Sequence, residues 1–307
     1  MPGNRKLLRR VVIDECHLTY TASDYRQKLR HLHHLRVLGV SMVLLTATLP
    51  PTRVHELIDA MSIQNPIIIR RSTVRPNIRY MVQRCPSKDQ LKVACEMARL
   101  RKLKKGERVI FYCRSRDQAE GLTKLLGCGF YYSNSVSEET TILWMENGGF
   151  CAATGALGTG LDFPGIVYVV HIGIPYGMID FAQETGRGGR NGEDVDSIIL
   201  LTDLESQKLR KTEAAELSID EMAVKRFIET KECRRLAMSA YLDEEGKACR
   251  DVDGRACDHC GEGIADWTAT QVRKAKEVRL LERGMDEAQR QCGFCLVMLG
   301  ADAAHHL

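Results

Sequence analysis

The chain has 307 residues, 44% of them hydrophobic and 27% charged, with a formal net charge of +4. This is ordinary globular composition, long enough for roughly two domains, and its charge permits an anionic partner without demanding one. No run reaches the roughly 18 to 20 apolar residues of a membrane span, and the basic opening MPGNRKLLRRVV ends its apolar run at Asp14, so neither anchor nor secretory leader is expected. Twelve cysteines then point to a reduced, intracellular setting, where clustered thiols bind metal more often than they form disulfides.

Through residue 205, short apolar runs alternate with amphipathic stretches. VVID (11–14) reads as a buried strand and Ser23 to Leu38 as a capped helix. MVLLTAT (42–48) is a second strand, Pro51 to about Met61 a Pro-opened helix, and PIIIR (66–70) a third strand. RRSTVRPNIRY (70–80) is polar and Pro-containing, and reads as a linker. The pattern then restarts with a helix (88–103), the strand RVIFYC (108–113) and a helix (116–126). Strands FYYS (130–133) and FCAAT (150–154) flank a helix from Ser137 to Met145, and VYVVHI (167–172), a helix near 178–186 and DSIILL (196–201) close the unit. Such alternation implies an α/β fold with parallel sheets. Two units result: residues 1–69, holding two or three strands and cut short at the N-terminus, and residues 83–205, with 70–82 between them.

Ligands of open parallel sheets sit beyond the carboxyl ends of the strands, which is where Asp14 and Glu15 fall. One carboxylate there can hold Mg²⁺ and the next can orient an attacking water. On these residues alone, two solvated acids fit as well. LLTATLP (44–50) puts Thr46 and Thr48 at the neighbouring strand end. CAATGALGTGLDFPGIVYVVHIGIP (151–175) carries Gly155, Gly158 and Gly160 after a strand, which lets backbone approach a phosphate chain. DFAQETGRGGRNGE (180–193) brings Gln183, Arg187 and Arg190 in a Gly-rich setting, two arginines able to aim at one anionic target.

VVIDECH, LLTATLP, RVIFYCRSRDQAEGL, the 151–175 segment and QETGRGGRNGE resemble, in this order, the later motifs of superfamily-two helicases, and most of all the RecQ family. The resemblance covers roughly residues 8–262, and DECH followed by TASDYR is most like the fungal, subtelomere-associated RecQ-like helicases. It implies a fold of two RecA-like units, the first partial, followed by a helical zinc-binding module. It further implies that Asp14 coordinates Mg²⁺, Glu15 is the catalytic base and His17 couples hydrolysis to DNA movement. Gln183, Arg187 and Arg190 would meet the phosphates of ATP, with Arg190 as the finger. Gly160 and Asp162 would contact the nucleotide, Asp162 at its ribose. Thr154, Ser115, Thr46 and Thr48 would serve the DNA side. Two departures stand out. The aromatic-rich loop of the family is reduced to Tyr20 and Tyr25, and no Gly-x-x-x-x-Gly-Lys-Ser/Thr phosphate loop occurs in the chain.

Cys233, Cys249, Cys257 and Cys260 are separated by fifteen, seven and two residues. Four thiolates, the last two in a tight C-x-x-C chelate, suit a closed, tetrahedral, structural Zn²⁺ site. The same pattern resembles the zinc module that follows the RecQ core, here residues 206–263. Cys292 and Cys295 with His305 and His306 fit either a second zinc knuckle or two reduced thiols in a tail. Cys16, Cys85, Cys95, Cys113, Cys128 and Cys151 read as small core residues. In the remaining 264–307 stretch, WTATQVRKAKEVRLLERGMDEAQRQ reads as one basic amphipathic helix, with no strand pair for a duplex-splitting wing.

The expectation is thus an ATP-dependent 3′–5′ DNA helicase of recombination, repair or telomere-associated processes, acting in the nucleus on single-stranded or forked DNA, with no membrane partner. A chain without its phosphate loop is expected to show no turnover. A non-catalytic DNA-binding remnant is the alternative, and an RNA helicase of the DEAD-box type fits the core motifs but not the zinc module.

Overall fold

The computed structural model describes residues 8–21, 27–131, 139–155 and 163–261. The segments holding Gly158, Gly160, Asp162, Tyr25, Cys292, Cys295, His305 and His306 lie outside the described residues.

The first unit pairs β1 (Arg10–Ile13) in parallel with β2 (Ser41–Leu44), in the register Val11↔Met42 and Ile13↔Leu44. Helix α1 (Leu18–Thr21) follows β1, a 3₁₀ helix spans Gln27–Leu38, and α2 (Val54–Ala60) is entered through a 3₁₀ turn at Pro51–Arg53. Cys16, Leu57 and Met61 make its small core, joined by Ile13, Leu32, Met42 and Leu44. The α-helix expected over 23–38 is therefore a 3₁₀ helix over its described part. PIIIR forms no strand: no ladder hydrogen bonds reach it among the described residues, and Ile67 and Ile69 are 92% and 86% exposed.

The second unit is a six-stranded, all-parallel sheet in the order β3-β8-β7-β4-β6-β5. Its strands are β3 (Ile78–Cys85), β4 (Arg108–Cys113), β5 (Gly129–Tyr131), β6 (Gly149–Thr154), β7 (Ile166–Ile172) and β8 (Val195–Thr202). β4, β7 and β8 are buried along their whole length, as continuous apolar runs covered on both faces should be. Helices α3 (Gln90–Leu100) and α4 (Arg116–Leu126) connect strands of the sheet, as do α5 (Glu139–Asn147) and α6 (Met178–Gly186). α4 starts where the Ser115 hydroxyl accepts from Gln118 N at 3.1 Å and stops at left-handed Gly127. The span 70–82, read as a linker, is strand from Ile78 onward: β3 pairs with β8 from Ile78↔Val195 to Cys85↔Thr202.

Beyond β8 run α7 (Asp203–Lys211), α8 (Ile219–Glu229) and α9 (Arg234–Leu242), the first two opened by capping boxes at Thr202/Glu205 and Ser218/Glu221. Val224, Phe227, Met238, Leu242 and three of the four clustered cysteines share one core with Tyr80, Phe181 and Ile199, so the cysteine module is packed onto the sheet.

Gly148 sits at φ +85° in the turn from α5 to β6, where a Cβ would lie 2.5 Å from the Glu107 carbonyl. Gly148→Ala is expected to destabilise by about 1–3 kcal/mol. The denaturant midpoint checks this, and an unshifted midpoint would contradict it.

Candidate active site

The parallel ladder of the first unit continues past its strands: Leu45 N donates to Ile13 O at 2.9 Å and Cys16 N to Leu45 O at 3.0 Å. These bonds seat the acidic turn against Thr46 and Thr48. Glu15 adopts φ +49°, a left-handed conformation rare for a side-chain-bearing residue and typical of functional sites. Its N–H donates to Asp14 Oδ1 at 2.8 Å. Asp14 is exposed, free to face a cation, while Glu15 is half-buried. Burial, then the neighbouring Asp14, raises the Glu15 pKa, and Arg187 and Arg190 pull it back. Glu15 is thus a stronger base than a surface carboxylate, within electrostatic reach of both arginines.

His17 is the pivot. It is 1% exposed, and burial lowers its pKa to about 4, so the ring is neutral at pH 7. Nδ1 lies 2.9 Å from Thr46 Oγ1 and 3.4 Å from Glu15 Oε2, and Nε2 lies 2.9 Å from Gln183 Nε2. An amide nitrogen only donates, so His17 Nε2 is the acceptor and the ring proton sits on Nδ1. Gln183 spends its second N–H on Thr48 Oγ1, at 3.0 Å. One side chain of the second unit therefore closes onto two of the first, the buried Thr48 and His17.

Gln183 comes from α6, whose N-terminus has no capping side chain of its own. Asp220 of α8 does that work, accepting from Ile179 N at 3.1 Å. At the other end, Arg187 closes α6 and the loop turns through Gly189 at φ +61°. A Cβ on Gly189 would lie 2.4 Å from Asn77 Nδ2 and Glu193 O, so only glycine fits. His171 Nε2 meets Glu184 Oε2 at 2.9 Å and stacks on Tyr112, a buried polar support that motif reading missed.

Asp14, Glu15, His17, Thr46, Thr48, Gln183, Arg187 and Arg190 thus gather at one cleft. Thr154 and Ser115 do not join them. They lie at and just beyond the carboxyl ends of β6 and β4, adjacent strands paired Cys113↔Thr154. Ser115 already accepts as the α4 cap but retains its O–H for donation.

The Sγ atoms of Cys233, Cys249, Cys257 and Cys260 lie within 4.8 Å of one another. Cys233 and Cys249 are 3.5 Å apart and Cys233 and Cys257 3.9 Å. Around Zn–S bonds of about 2.3 Å, tetrahedral geometry requires Sγ···Sγ separations of about 3.8 Å, so the donor set fits that metal. The sulfurs are close enough to share protons: contacts from Cys249 and Cys257 push the Cys233 thiol down, while the same contacts push Cys249 up. Arg234 N donates to Cys257 Sγ and Cys249 N to Cys233 Sγ, the backbone amides expected around a thiolate cluster. Of the six cysteines read as core residues, Cys128 is only half-buried and the other five are buried and free.

A family model described as the helicase conserved C-terminal domain matches residues 89–192, from α3 through the arginine loop. The RecQ-like DNA helicase BLM of Xenopus laevis is 29% identical, over 83% of this chain and 21% of that protein. The ATP-dependent DNA helicase RecQ of Pasteurella multocida is 27% identical, over 79% of this chain and 41% of that protein. The chain carries the helicase conserved C-terminal domain and is similar to RecQ-family superfamily-two helicases. It spans less than half the length of either relative. Saccharomyces cerevisiae Dbp5, solved bound to RNA and ADP BeF3, superposes with a TM-score of 0.54 at 16% identity, covering 72% of this chain and 64% of that one. At that identity the likeness is one of fold.

Proposed function

We propose that this chain carries the cleft of an ATP-driven, 3′–5′ DNA-unwinding motor, in which the acidic turn and the arginine loop face each other across bound nucleotide. The observation that carries the reading is the Gln183 amide, which joins His17 and Thr48 of one unit to the arginine helix of the other. Mg²⁺–ATP would supply the scissile phosphate and its charge neutralisation. Asp14 would hold the cation, Glu15 would take the proton of the attacking water, and Arg187 and Arg190 would stabilise the charge on the transferring phosphate, Arg190 as the finger. Gly160 and Asp162 would contact the nucleotide. His17 and Gln183, linked through Thr46 and Thr48, would pass the nucleotide state to the DNA side, where Thr154 and Ser115 would meet the backbone. A structural Zn²⁺ on Cys233, Cys249, Cys257 and Cys260 would hold the module against the motor. Work on single-stranded or forked DNA in recombination, repair or telomere-associated processes, in the nucleus, belongs to this reading.

A second reading is favoured by one observation: the 307 residues contain no Gly-x-x-x-x-Gly-Lys-Ser/Thr. By themselves they would bind single-stranded DNA without hydrolysing ATP, with affinity falling at least about tenfold between 50 and 200 mM salt. No turnover is expected from this chain alone, and Glu15→Gln should change nothing. The transcript upstream of Met1 separates the readings. If it encodes an in-frame phosphate loop, the longer product should hydrolyse ATP in response to DNA and unwind 3′-tailed duplexes. If that product neither hydrolyses nor unwinds, the motor reading is wrong.

A further inference from the structure

The segment between the two units is strapped to the cysteine module at two points. Near its start, Asp243, the residue that closes α9, accepts from Ser72 Oγ and Thr73 N, both at 2.9 Å. Further along, Arg235 of α9, only 2% exposed, spreads its guanidinium over backbone carbonyls. Nη1 donates to Arg75 O at 2.6 Å and Nη2 to Ile78 O at 2.7 Å and Arg255 O at 3.3 Å. A charged, planar fork with no carboxylate partner among these contacts is serving as a backbone template.

The backbone it holds carries a second fork pointing the other way. Arg75 donates through Nη1 to Gly186 O at 3.1 Å and through Nη2 to Gly188 O and Gly189 O at 3.0 and 2.8 Å. Asn77 adds Nδ2 bonds to Gly189 O and Glu193 O at 2.9 and 2.8 Å. Three carbonyls of the loop that carries Arg187 and Arg190 therefore converge on one guanidinium. They are carbonyls of a helix end and a glycine turn, where a cation is favoured, and Gly189 O also accepts from Gly192 N at 3.2 Å.

We propose that Arg235 and Arg75 are positioning residues acting in series: α9 of the cysteine module fixes the backbone at 75–78, and Arg75, so fixed, sets the arginine loop that faces Glu15. The functional weight of this relay rests on the phosphate-facing reading of Arg187 and Arg190. The geometric relay itself does not. A lysine at either position has one point charge and no planar fork, so it cannot hold carbonyls spread over several residues.

Hydrogen exchange of the full 307-residue chain tests it without any need for turnover. Arg75→Ala should speed exchange of the amides in 186–192 by about tenfold or more, with 108–113 unchanged, and Arg75→Lys should not restore protection. Arg235→Lys, which touches no atom of the arginine loop, should loosen both 75–78 and 186–192. The side-chain Nε–H signals of Arg187 and Arg190 should move in both variants. Should Arg235→Lys fail to fold, Asp243→Asn weakens the same strap from the surface, and the two segments should again loosen together. Exchange in 186–192 within about twofold of the parent in Arg75→Ala would overturn the proposal. So would a variant of α9 that frees 75–78 and leaves the arginine loop untouched. If the exchange pattern holds but a phosphate-loop-bearing product never hydrolyses ATP, the motor reading falls and the relay stands.

Discussion

Cys257→Ser is expected to strip the metal from this chain and unfold the module from α8 onward. Cys257 is wholly buried, accepts the Arg234 amide, and lies 3.9 Å from Cys233 Sγ. Without a cation, thiolates at that spacing repel, or protonate and lose the amide bonds that assume negative sulfur. The damage spreads because the cysteine loop also covers the free edge of β3. Asp258, one residue on, accepts from Val82 N at 3.0 Å, its own N–H reaches Tyr80 O at 3.2 Å, and its carboxylate is paired with buried Arg234 at 2.9 Å. Structural zinc contributes about 10–16 kcal/mol in isolated zinc-finger peptides, an upper bound here because the module also packs into the sheet core. Losing even about 4 kcal/mol lowers the thermal midpoint by about 6 °C for a chain of this size. Metal analysis and thermal unfolding with and without a chelator decide the matter. One zinc per chain and a chelator-sensitive midpoint are expected; an untreated protein that carries no zinc, or a Cys257→Ser midpoint equal to that of the untreated parent, would refute it.

Where sequence reading succeeded, the information was local. RVIFYC and its following helix match β4 and α4 at both ends, because Ser115 and Gly127, the capping residues, are written in the chain. β3 escaped because its first residues sit in a Pro-containing basic stretch, and only the ladder to β8, more than a hundred residues away, makes it a strand. PIIIR erred in the opposite direction. β-branched composition suggested a strand, yet Ile67 and Ile69 face solvent with no neighbouring strand among the described residues. The acidic turn, the threonines and the arginine loop were legible as motifs, since the proposed chemistry would require those residue types at those spacings. Arg75, Asn77 and Arg235 were not. Each acts on carbonyls supplied by distant segments, and a lone arginine in a basic stretch carries no pattern that marks it.

The cleft makes the sharpest prediction for catalysis. Joined to a phosphate-loop-bearing first unit, Arg190→Ala should lower DNA-stimulated hydrolysis by about 10³ to 10⁵, the scale on which a finger arginine stabilises a transferring phosphoryl group. Nucleotide binding should be largely retained, because that charge interaction strengthens mainly in the transition state. Gln183→Ala should fail differently. It removes donors from His17 Nε2 and Thr48 Oγ1, leaving a buried imidazole acceptor unmet at a cost of about 1–3 kcal/mol. On the Nδ1 side the neutral ring still meets Thr46 Oγ1 and Glu15 Oε2. Hydrolysis should then lose much of its dependence on DNA, with basal turnover less affected than in Arg190→Ala. The contrast rests on what each side chain touches: Arg190 lies within reach of Glu15, while Gln183 bonds only the threonine–histidine bridge. Steady-state hydrolysis with and without single-stranded DNA separates the two. Equal loss of basal and DNA-stimulated rates in Gln183→Ala would remove His17 and Gln183 from the coupling path and leave them as cleft packing.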